Sequence, residues 1–416
     1  FRASSWSLED IRKRWFSAVR LYAPLYKEGN FHVLVGDGVK QSKEGRRMPG
    51  VKKLFQESEN SAKPEYMHGH MFGGLGILAG NFRSWACIPL SIRLHDGLQA
   101  AREWKGASVS TASHVVQMVE DSYHAALTFG DSLLLLDRYF LTVPALEKLR
   151  ELNNSGKVHM EIVTKAKKSC TAFQKPGPRK PGRGRPPKKG DAVHLKGLFA
   201  SHKEQFMETE TELYGKKKTI RYYSIDLLWG QKLYQELRFV LVEMDGIQSI
   251  LASTSLALDP LSIIRLYSYR FRIECTFREL KQQTGAFCYH FWSKHMPKLS
   301  YYQKKGEPTP LERVEDERSR KKILKTVRAI EVHMELSCIA MGILQTLSIR
   351  FIGKVCSSQI RYQRTPSKGR VSEAALMHYF RKHFFRLLEQ KPKSYITQII
   401  HELQEESEKH WDFLAS

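Results

Sequence analysis

Four side chains with complementary chemistry follow one another at helical spacing in the second half of the chain. They lie at offsets of 0, 3, 7 and 14 residues, and they are Tyr267, Arg270, Glu274 and Lys281. At about 100° per residue, these offsets put all four side chains in a helix sector about 60° wide. A carboxylate between two cations and a phenol suits a site that binds both a metal ion and a phosphate chain. The alternative is a solvated charged face stabilised by ion pairs such as Arg270–Glu274.

Two aspartates elsewhere could complete such a site. Asp37 and Asp137 each follow a short apolar run that is typical of a buried strand, and Asp37 stands in a Gly-Asp-Gly turn signal. The ends of strands in an α/β sheet are where ligands and metals are met, although a lone Asp there is otherwise a turn former or a helix cap. Together with Glu274 they could hold two Mg²⁺ ions about 3.5–4 Å apart, which would promote in-line displacement at phosphorus.

The helix that carries the four residues has a defined start and a buried side. Asp259 suits the N-cap and Pro260 the first helical position. The apolar stripe beside the charged sector consists of Leu266, Ile273, Phe277 and Leu280. Upstream, the pattern predicts helices at 8–26, 111–127 and 143–152, and strands at 31–35, 66–79, 85–94, 132–136 and 158–164. This order predicts a mixed α/β sheet covered by helices.

A second group of strands precedes the helix. Periodicity predicts strands at 219–229, 237–244 and 249–258, and Asp245-Gly246 is a hairpin turn signal between the last two. These strands read as a small β-rich insertion. After the helix, residues 298–322 are charged and turn-rich, and the remainder is mostly helical. The first residue is Phe1 rather than Met, so we expect a missing N-terminal segment.

Composition narrows the classes of partner. The 416 residues include 67 Lys and Arg against 43 Asp and Glu, a formal net charge of +24. Such an excess of positive charge indicates a polyanion as partner. A hydrophobic content of 42% excludes a disordered basic tail, and with no run of 18 apolar residues we expect no membrane span. Six cysteines without a CxxC pair fit a reducing compartment rather than a disulfide framework.

Two basic segments could contact nucleic acid. Residues 175–190 read KPGPRKPGRGRPPKKG, which cannot pack a core, and Arg183 and Arg185 form an AT-hook-like pair that suits a narrow minor groove. The alternative is a flexible loop that binds phosphates without sequence preference. A second basic loop, predicted at 40–63, follows Asp37 and could grip the bound strand or simply be solvated. Its cations are Arg46, Arg47, Lys52 and Lys53.

The spacing of Tyr267, Arg270, Glu274 and Lys281, Y-x2-R-x3-E-x6-K, resembles the signature of DDE transposases of the insertion sequence 4 family. The sequence segments around the three acids also resemble this family. They are VLVGDGVKQSKEGRRMPGVKKL around Asp37, LLLLDRYF around Asp137, and LALDPLSIIRLYSYRFRIECTFRELKQQTGAFCYHFW around Glu274. The order of first Asp, second Asp, insertion and Glu resembles the family over residues 28–295.

The resemblance implies a ribonuclease H-like, retroviral-integrase-like α/β fold, a mixed five-stranded sheet with a β-rich insertion and helical flanks. Asp37 would lie on the first strand, Asp137 after the fourth, and Glu274 on the helix after the insertion. The implied organisation has an N-terminal helical segment at 1–27, a first catalytic part at 28–165, a basic loop and insertion at 166–258, the catalytic helix at 259–297 and a helical region at 298–416.

The resemblance also implies an activity: metal-dependent cleavage of transposon ends, formation and reopening of a DNA hairpin, and strand transfer to target DNA. Asp37, Asp137 and Glu274 would bind two Mg²⁺ ions, with Mn²⁺ as a substitute. Tyr267, Arg270 and Lys281 would contact the DNA near the cut. Trp229 in the insertion is a candidate for stacking on a flipped base, with a core or surface Trp as the alternative.

The implied partners are double-stranded DNA, as terminal inverted repeats and target, and a second copy of the chain in a homodimer. We expect a bacterial cytoplasmic, nucleoid-associated protein with no membrane contact. One alternative is a domesticated or inactive transposase that only binds DNA. Another is a related nuclease of the same fold, such as a junction resolvase, which the hairpin-type signature disfavours.

Overall fold

In the computed structural model, the described residues are 6–56, 64–81, 84–104, 113–177, 186–302, 307–350 and 371–390. The strands are β1 (Lys27–Glu28), β2 (Phe31–Ser42), β3 (Lys52–Phe55), β4 (Tyr66–Asn81), β5 (Ser84–Leu94), β6 (Ser132–Leu135), β7 (Met160–Ala166), β8 (Thr171–Phe173), β9 (Ala192–His194), β10 (Met207–Leu213), β11 (Lys216–Trp229), β12 (Gln235–Met244) and β13 (Ile247–Ser253). The helices are α1 (Leu8–Tyr22), α2 (Gln99–Glu103), α3 (His114–Phe129), α4 (Val143–Asn153), α5 (Leu198–Ser201), α6 (Pro260–Tyr269), α7 (Phe271–Glu279), α8 (Glu317–Arg350) and α9 (Glu373–Glu389).

The fold is mixed α/β, built on one large and mostly antiparallel sheet. Its central strands run in the order β5–β4–β2–β6–β7, in which β2, β6 and β7 are parallel and β4 is antiparallel to both of its neighbours. The sheet then continues from β7 through β13, β12 and β11 to β8 and β9, with antiparallel pairing throughout. The predicted α/β class is confirmed at this level.

The strand that carries Asp37 is longer than the sequence predicts. The expected turn at residues 36–38 is wrong: β2 continues to Ser42, and Asp37 lies inside it, paired with Gly74 of β4. The prediction of a basic loop over 40–63 is also wrong in part, because β3 lies within that range and pairs with β4. Glycine suits position 74 because a Cβ there would lie 2.5 Å from the ring of Phe277. Asp37 is therefore held by a strand ladder rather than by a flexible turn.

The predicted insertion strands exist, but they do not form a separate layer. The turn at Asp245-Gly246 is confirmed: both residues have positive φ, 51° and 76°, as a tight two-residue hairpin requires. Strand β13 then pairs with β7, so the hairpins extend the central sheet. The registers of β11, β12 and β13 depend on this long-range pairing, which local periodicity does not reveal.

Helices cover both faces of the sheet, and alternate residues of β2 divide between two apolar layers. Val33 and Val35 pack in the layer that contains helices α6, α7 and most of α8. Leu34, between them, packs in the layer that contains α1, α3 and α4. This alternation is the period of two that a strand buried on both faces requires. Helix α1 ends at Tyr22, before the predicted residue 26, because Ala23 precedes Pro24 and takes an extended conformation.

Helix α8 is the core helix of the C-terminal half. By length and composition alone it could cross a membrane, but 61% of its most apolar window is buried inside the fold. It packs on β5, and it carries Glu335, whose fully buried carboxylate accepts two bonds from Arg12 of α1 at 3.0 and 3.1 Å. Core helices of soluble folds pass the same test of composition. Helix α9 belongs to a separate unit and is capped by Ser372, whose hydroxyl accepts a bond from the Ala375 N–H.

Candidate active site

The predicted helix begins as expected and is then interrupted twice. Asp259 caps α6 by accepting a bond from the Ser262 N–H at 3.1 Å, so the predicted start is confirmed. Arg270 lies in the turn between α6 and α7. Residues Leu280–Thr284 then form a π-helical turn that ends at Gly285, in the left-handed conformation. Lys281 lies in that wider turn, so the 60° sector expected of one ideal helix does not extend to it.

Arg270 joins the two carboxylates that come from the strand and the helix. Its Nη1 donates to Asp37 Oδ2 at 3.0 Å, and its Nη2 donates to Glu274 Oε1 at 2.6 Å. The guanidinium is largely buried, with 14% of the side chain exposed. Burial opposes its charge, but the charges of Asp37, Tyr267, Asp137 and Glu274 outweigh that effect and raise the pKa of Arg270. One cation thus bridges residues that lie far apart in the sequence.

Asp137 enters the same arrangement through Tyr267. The Tyr267 hydroxyl donates to Asp137 Oδ1 at 3.4 Å, and burial, the largest cause, raises the pKa of that phenol. Asp137 lies two residues after the end of β6, and its carbonyl accepts bonds from the Phe140 N–H at 3.0 Å and from Thr164 Oγ1 at 2.9 Å. The bond from Thr164 holds this segment against β7. The structure therefore brings all three predicted acids to one region, together with Tyr267 and Arg270.

The carboxylate of Asp37 has a raised pKa. Burial raises its pKa to about 6, and the neighbouring acids Asp137 and Glu274 act in the same direction. Arg270 and the Gly38 N–H, which donates to Asp37 Oδ1 at 2.8 Å, act in the opposite direction and only partly offset this. Arg270 is hydrogen-bonded to two of the three acids, and at Asp37 its effect does not outweigh burial and the two neighbouring carboxylates.

A lysine that the sequence analysis overlooked lies near this group. Lys165 of β7 is half-buried; burial lowers its pKa, and the nearby charge of Asp137 partly opposes that shift. It has the same side-chain parity on β7 as Val163, which packs in the α6–α7 layer. Side chains alternate between the two faces of a strand. Extending the predicted strand at 158–164 by one residue would have placed Lys165 on the same face as Val163, towards the acids.

The donor set can be tested against the metal that the sequence predicts. Asp37, Asp137 and Glu274 offer only hard carboxylate oxygens, which are the ligands Mg²⁺ prefers, and their negative charge is not fully balanced. Among the residues that the structure describes, however, no three His, Cys, Asp or Glu side chains are spaced to hold a metal ion. The guanidinium of Arg270 lies between two of the acids instead. The chemistry of the donors fits a divalent cation, whereas the side-chain arrangement is that of an arginine-bridged group.

A cleft opens beside these residues. It has a volume of about 430 Å³, and its lining includes Asp37, Lys40, Glu274, Arg278 and Lys281. The Lys281 ammonium lies 5.3 Å from the centre of the Phe287 ring. Acids and cations therefore face the same opening, which can accommodate a negatively charged backbone beside a cation site.

The other predicted DNA contacts lie in varied surroundings. In the basic segment after β2, Arg46 lies over the ring of Tyr301, and Arg47 Nη1 donates to the carbonyls of Lys294 and Met296 at 2.8 and 3.2 Å. Lys52 pairs with Asp96 at 2.5 Å, and Lys53 lies 4.3 Å from the centre of the Tyr66 ring. Arg183 and Arg185 lie outside the described residues. Contacts of these six cations with DNA stay predictions.

The surroundings of Trp229 favour a packing role over stacking on a flipped base. It ends β11 and packs, partly buried, against the α1–α3–α4 layer beside Cys170. Strands β12 and β13 lie between β11 and β7. At about 4.8 Å per strand, the strand that carries Trp229 is therefore roughly 14 Å from β7 across the sheet. These surroundings are those of a core tryptophan, the alternative that the sequence analysis left open.

One family of known proteins resembles this chain. Residues 106–294, just under half of the chain, match the family model described as a transposase DDE domain. The matched span includes Asp137 and Glu274 and begins after Asp37. The match supports a DDE transposase, and with it a nuclease that acts on DNA in transposition; such enzymes generally use divalent metals. No curated protein matches the chain, and no solved structure matches it either.

Proposed function

We propose that this chain is a DDE-type DNA transposase that cuts transposon ends and joins them to target DNA in a metal-dependent, cut-and-paste reaction. The observation that carries the proposal is the meeting of Asp37, Asp137 and Glu274 around Arg270 and Tyr267. Three acids from two strands and a helix, beside a cleft lined by cations, are what cleavage of a phosphodiester needs.

The proposal includes a ribonuclease H-like catalytic core. In its support, the five central strands run in the order β5–β4–β2–β6–β7, with β4 antiparallel and three parallel strands beside it. In such a core Asp37 would lie on the first strand, β2, and Asp137 after the fourth, β6. The family match from 106 to 294 covers the second half of this unit. The domain boundaries at 27, 165, 258 and 297 stay proposals.

Asp37, Asp137 and Glu274 would hold two Mg²⁺ ions, or Mn²⁺ in their place. When bound, such ions activate a water or a 3′-hydroxyl and stabilise the leaving oxygen. Arg270 donates to both Asp37 and Glu274. If those two carboxylates bound a cation, the planar guanidinium would be available to bind a DNA phosphate through two parallel hydrogen bonds.

Tyr267 and Lys281 flank this centre. The Tyr267 hydroxyl donates its single proton to Asp137 and orients that carboxylate. If the carboxylate bound a cation, the same proton would be available to a phosphate oxygen instead. Lys281 faces the cleft and supplies a second positive charge to the strand. We propose a hairpin-forming variant of the reaction because the Y-x2-R-x3-E-x6-K spacing is intact. A homodimer on paired transposon ends, in the cytoplasm with the bacterial nucleoid, completes the proposal.

Paired substitutions test the metal assignment. Asp37→Ala and Glu274→Gln should each lower Mg²⁺-dependent cleavage of a plasmid carrying the ends by at least about a thousandfold, while DNA binding in a mobility-shift assay stays intact. Glu151→Gln, at an exposed position on α4, is the matched control and should cleave like the wild type. Cleavage that survives either site substitution would refute the assignment.

The same assay separates the rival functions. Wild-type protein that binds the ends but never cuts them, with Mg²⁺ or Mn²⁺, would favour a domesticated transposase that only binds DNA. Hairpinned ends on a denaturing gel would support the hairpin route. Cleavage of four-way junctions in preference to transposon ends would favour a resolvase.

A further inference from the structure

A second cavity lies farther along the strand that carries Asp37. It has a volume of about 770 Å³, within the range of roughly 300–1,000 Å³ that is usual for ligand pockets. One wall is the end of β2 and the residues that follow it, 41–48, and the other wall comes from residues 287–298. Both walls continue from those of the catalytic cleft, which includes Asp37–Lys40 on one side and Lys281–Gln282 on the other.

The walls of this cavity are tied together by hydrogen bonds between the two segments. Buried Lys43 donates through Nζ to the carbonyls of Phe287 at 2.7 Å and Tyr289 at 2.8 Å. The Ser293 N–H donates to the carbonyl of Arg47 at 3.1 Å, and the Leu299 N–H donates to that of Arg46 at 2.8 Å. A cavity held in this way is formed before any ligand arrives, which reduces the entropy lost on binding.

The lining combines positive charge with an exposed aromatic ring. Trp292 has 58% of its surface exposed, an unusual exposure for the largest apolar side chain. The pocket lining also includes the cations Arg46, Arg47 and Lys298 and the acid Glu44, whereas the ammonium of Lys43 is engaged by the two carbonyls. An exposed indole among cations is the combination that binds single-stranded nucleic acid, because bases stack on the ring while phosphates pair with the cations.

We propose that this cavity, which we call the Trp292 pocket, binds unpaired nucleotides of the DNA strand that leaves the catalytic cleft. The pocket begins at Gln41, four residues after Asp37 on β2, which is roughly 13 Å at 3.3 Å per residue. That span equals about four nucleotide steps of 3.4 Å. This inference rests on the proposed function for the identity of the strand, but the chemistry of the pocket is independent of the three acids.

Binding measured without metal tests the pocket separately from catalysis. The probe is a fluorescein-labelled oligothymidylate about eight nucleotides long, titrated with the full chain in EDTA and followed by anisotropy. Trp292→Ala should weaken binding by about 5- to 150-fold, the equivalent of one lost stacking contact. Trp292→Phe should restore most of the affinity, because it keeps an aromatic face. Tyr22→Ala, at an equally exposed aromatic outside the pocket, should bind like the wild type.

Two further measurements separate stacking from charge. Lys298→Ala should weaken binding and reduce the slope of log affinity against log salt by about one, because one phosphate contact is lost. A polyglutamate peptide that competes as well as the oligonucleotide would overturn the assignment in favour of an acidic protein partner. Unchanged affinity in Trp292→Ala would also overturn it. If Asp37→Ala still cleaves DNA while Trp292→Ala loses the oligonucleotide, the catalytic assignment fails and the pocket stands.

Discussion

Two partly buried aspartates show how differently the same fold affects the pKa of a carboxylate. Asp121 of α3 pairs with Arg93 and accepts a bond from His95 Nε2 at 2.9 Å. Although burial opposes its charge, these partners lower the pKa of Asp121 to about 2. Asp37 shares a single arginine with Glu274, and burial raises its pKa to about 6.

The difference separates a structural network from a site that can bind a cation. At Asp121 the positive partners belong to the protein itself, so the ionised carboxylate is stable in the fold. At Asp37 the single bonded arginine does not outweigh burial and the two neighbouring acids. Groups with perturbed pKa values concentrate at functional sites, because burial and neighbouring like charges are combined there. The contrast supports the choice of Asp37, rather than Asp121, as a metal ligand.

The largest expected effect comes from removing the charge of Asp121. Asp121→Asn weakens the hydrogen bonds from Arg93 and His95, and because the Arg93 side chain is 42% exposed we expect a cost of about 1.5–3 kcal/mol, as for hydrogen bonds to a charged group. The free energy of unfolding, measured by denaturant titration in EDTA at neutral pH, should fall by that amount.

Asp37→Asn is the matched control for this measurement. It removes a carboxylate that is unfavourably buried, while the amide oxygen can still accept the bond from Arg270. Its free energy of unfolding should be equal to or higher than that of the wild type. A loss at Asp37 as large as the loss at Asp121 would remove the distinction between the two regions.

A smaller effect is expected from adding a divalent cation. A ligand that binds only the folded chain stabilises it by about 2.7 kcal/mol at one hundred times its dissociation constant. Saturating Mg²⁺ should therefore raise the midpoint of thermal unfolding of the wild type, and it should have little effect on Asp37→Asn. The readout is scanning calorimetry without DNA. Equal shifts in the two proteins would show that Mg²⁺ binds elsewhere.

The sequence predicted best what depends on local chemistry. The cap at Asp259, the turn at Asp245-Gly246 and the long strand β4 each have their determinants within a few residues. Asp137 and Glu274 could be chosen from local patterns, the end of a strand and helical spacing, whereas Asp37 was chosen as a strand end although β2 continues past it.

What the sequence could not reveal depends on long-range pairing. The Gly-Asp-Gly segment of β2 reads as a turn, yet its ladder with β4 carries it to Ser42. Pairing of β13 with β7 merges the insertion into the central sheet, and no local signal specifies that register. The bridge of Arg270 from Asp37 to Glu274 likewise appears only once strand and helix are packed together.

The smallest expected effect is a change in how the free energy of unfolding depends on pH, which tests the network around Asp121. His114 Nδ1 lies 2.8 Å from His95 Nδ1, and burial, with His95 next in importance, lowers the pKa of His114 to about 3. Between that value and the ordinary 6.5, the unfolded chain binds a proton that the folded chain does not. Stability therefore falls as pH is lowered through this window, by up to about 1.4 kcal/mol per pH unit for one group.

His114→Gln should flatten the slope of unfolding free energy between about pH 6.5 and 5 relative to the wild type. Asp121 titrates below this window, so an unchanged slope in His114→Gln would mean that His114 is protonated in the folded chain and that the network is less tightly closed than its geometry indicates.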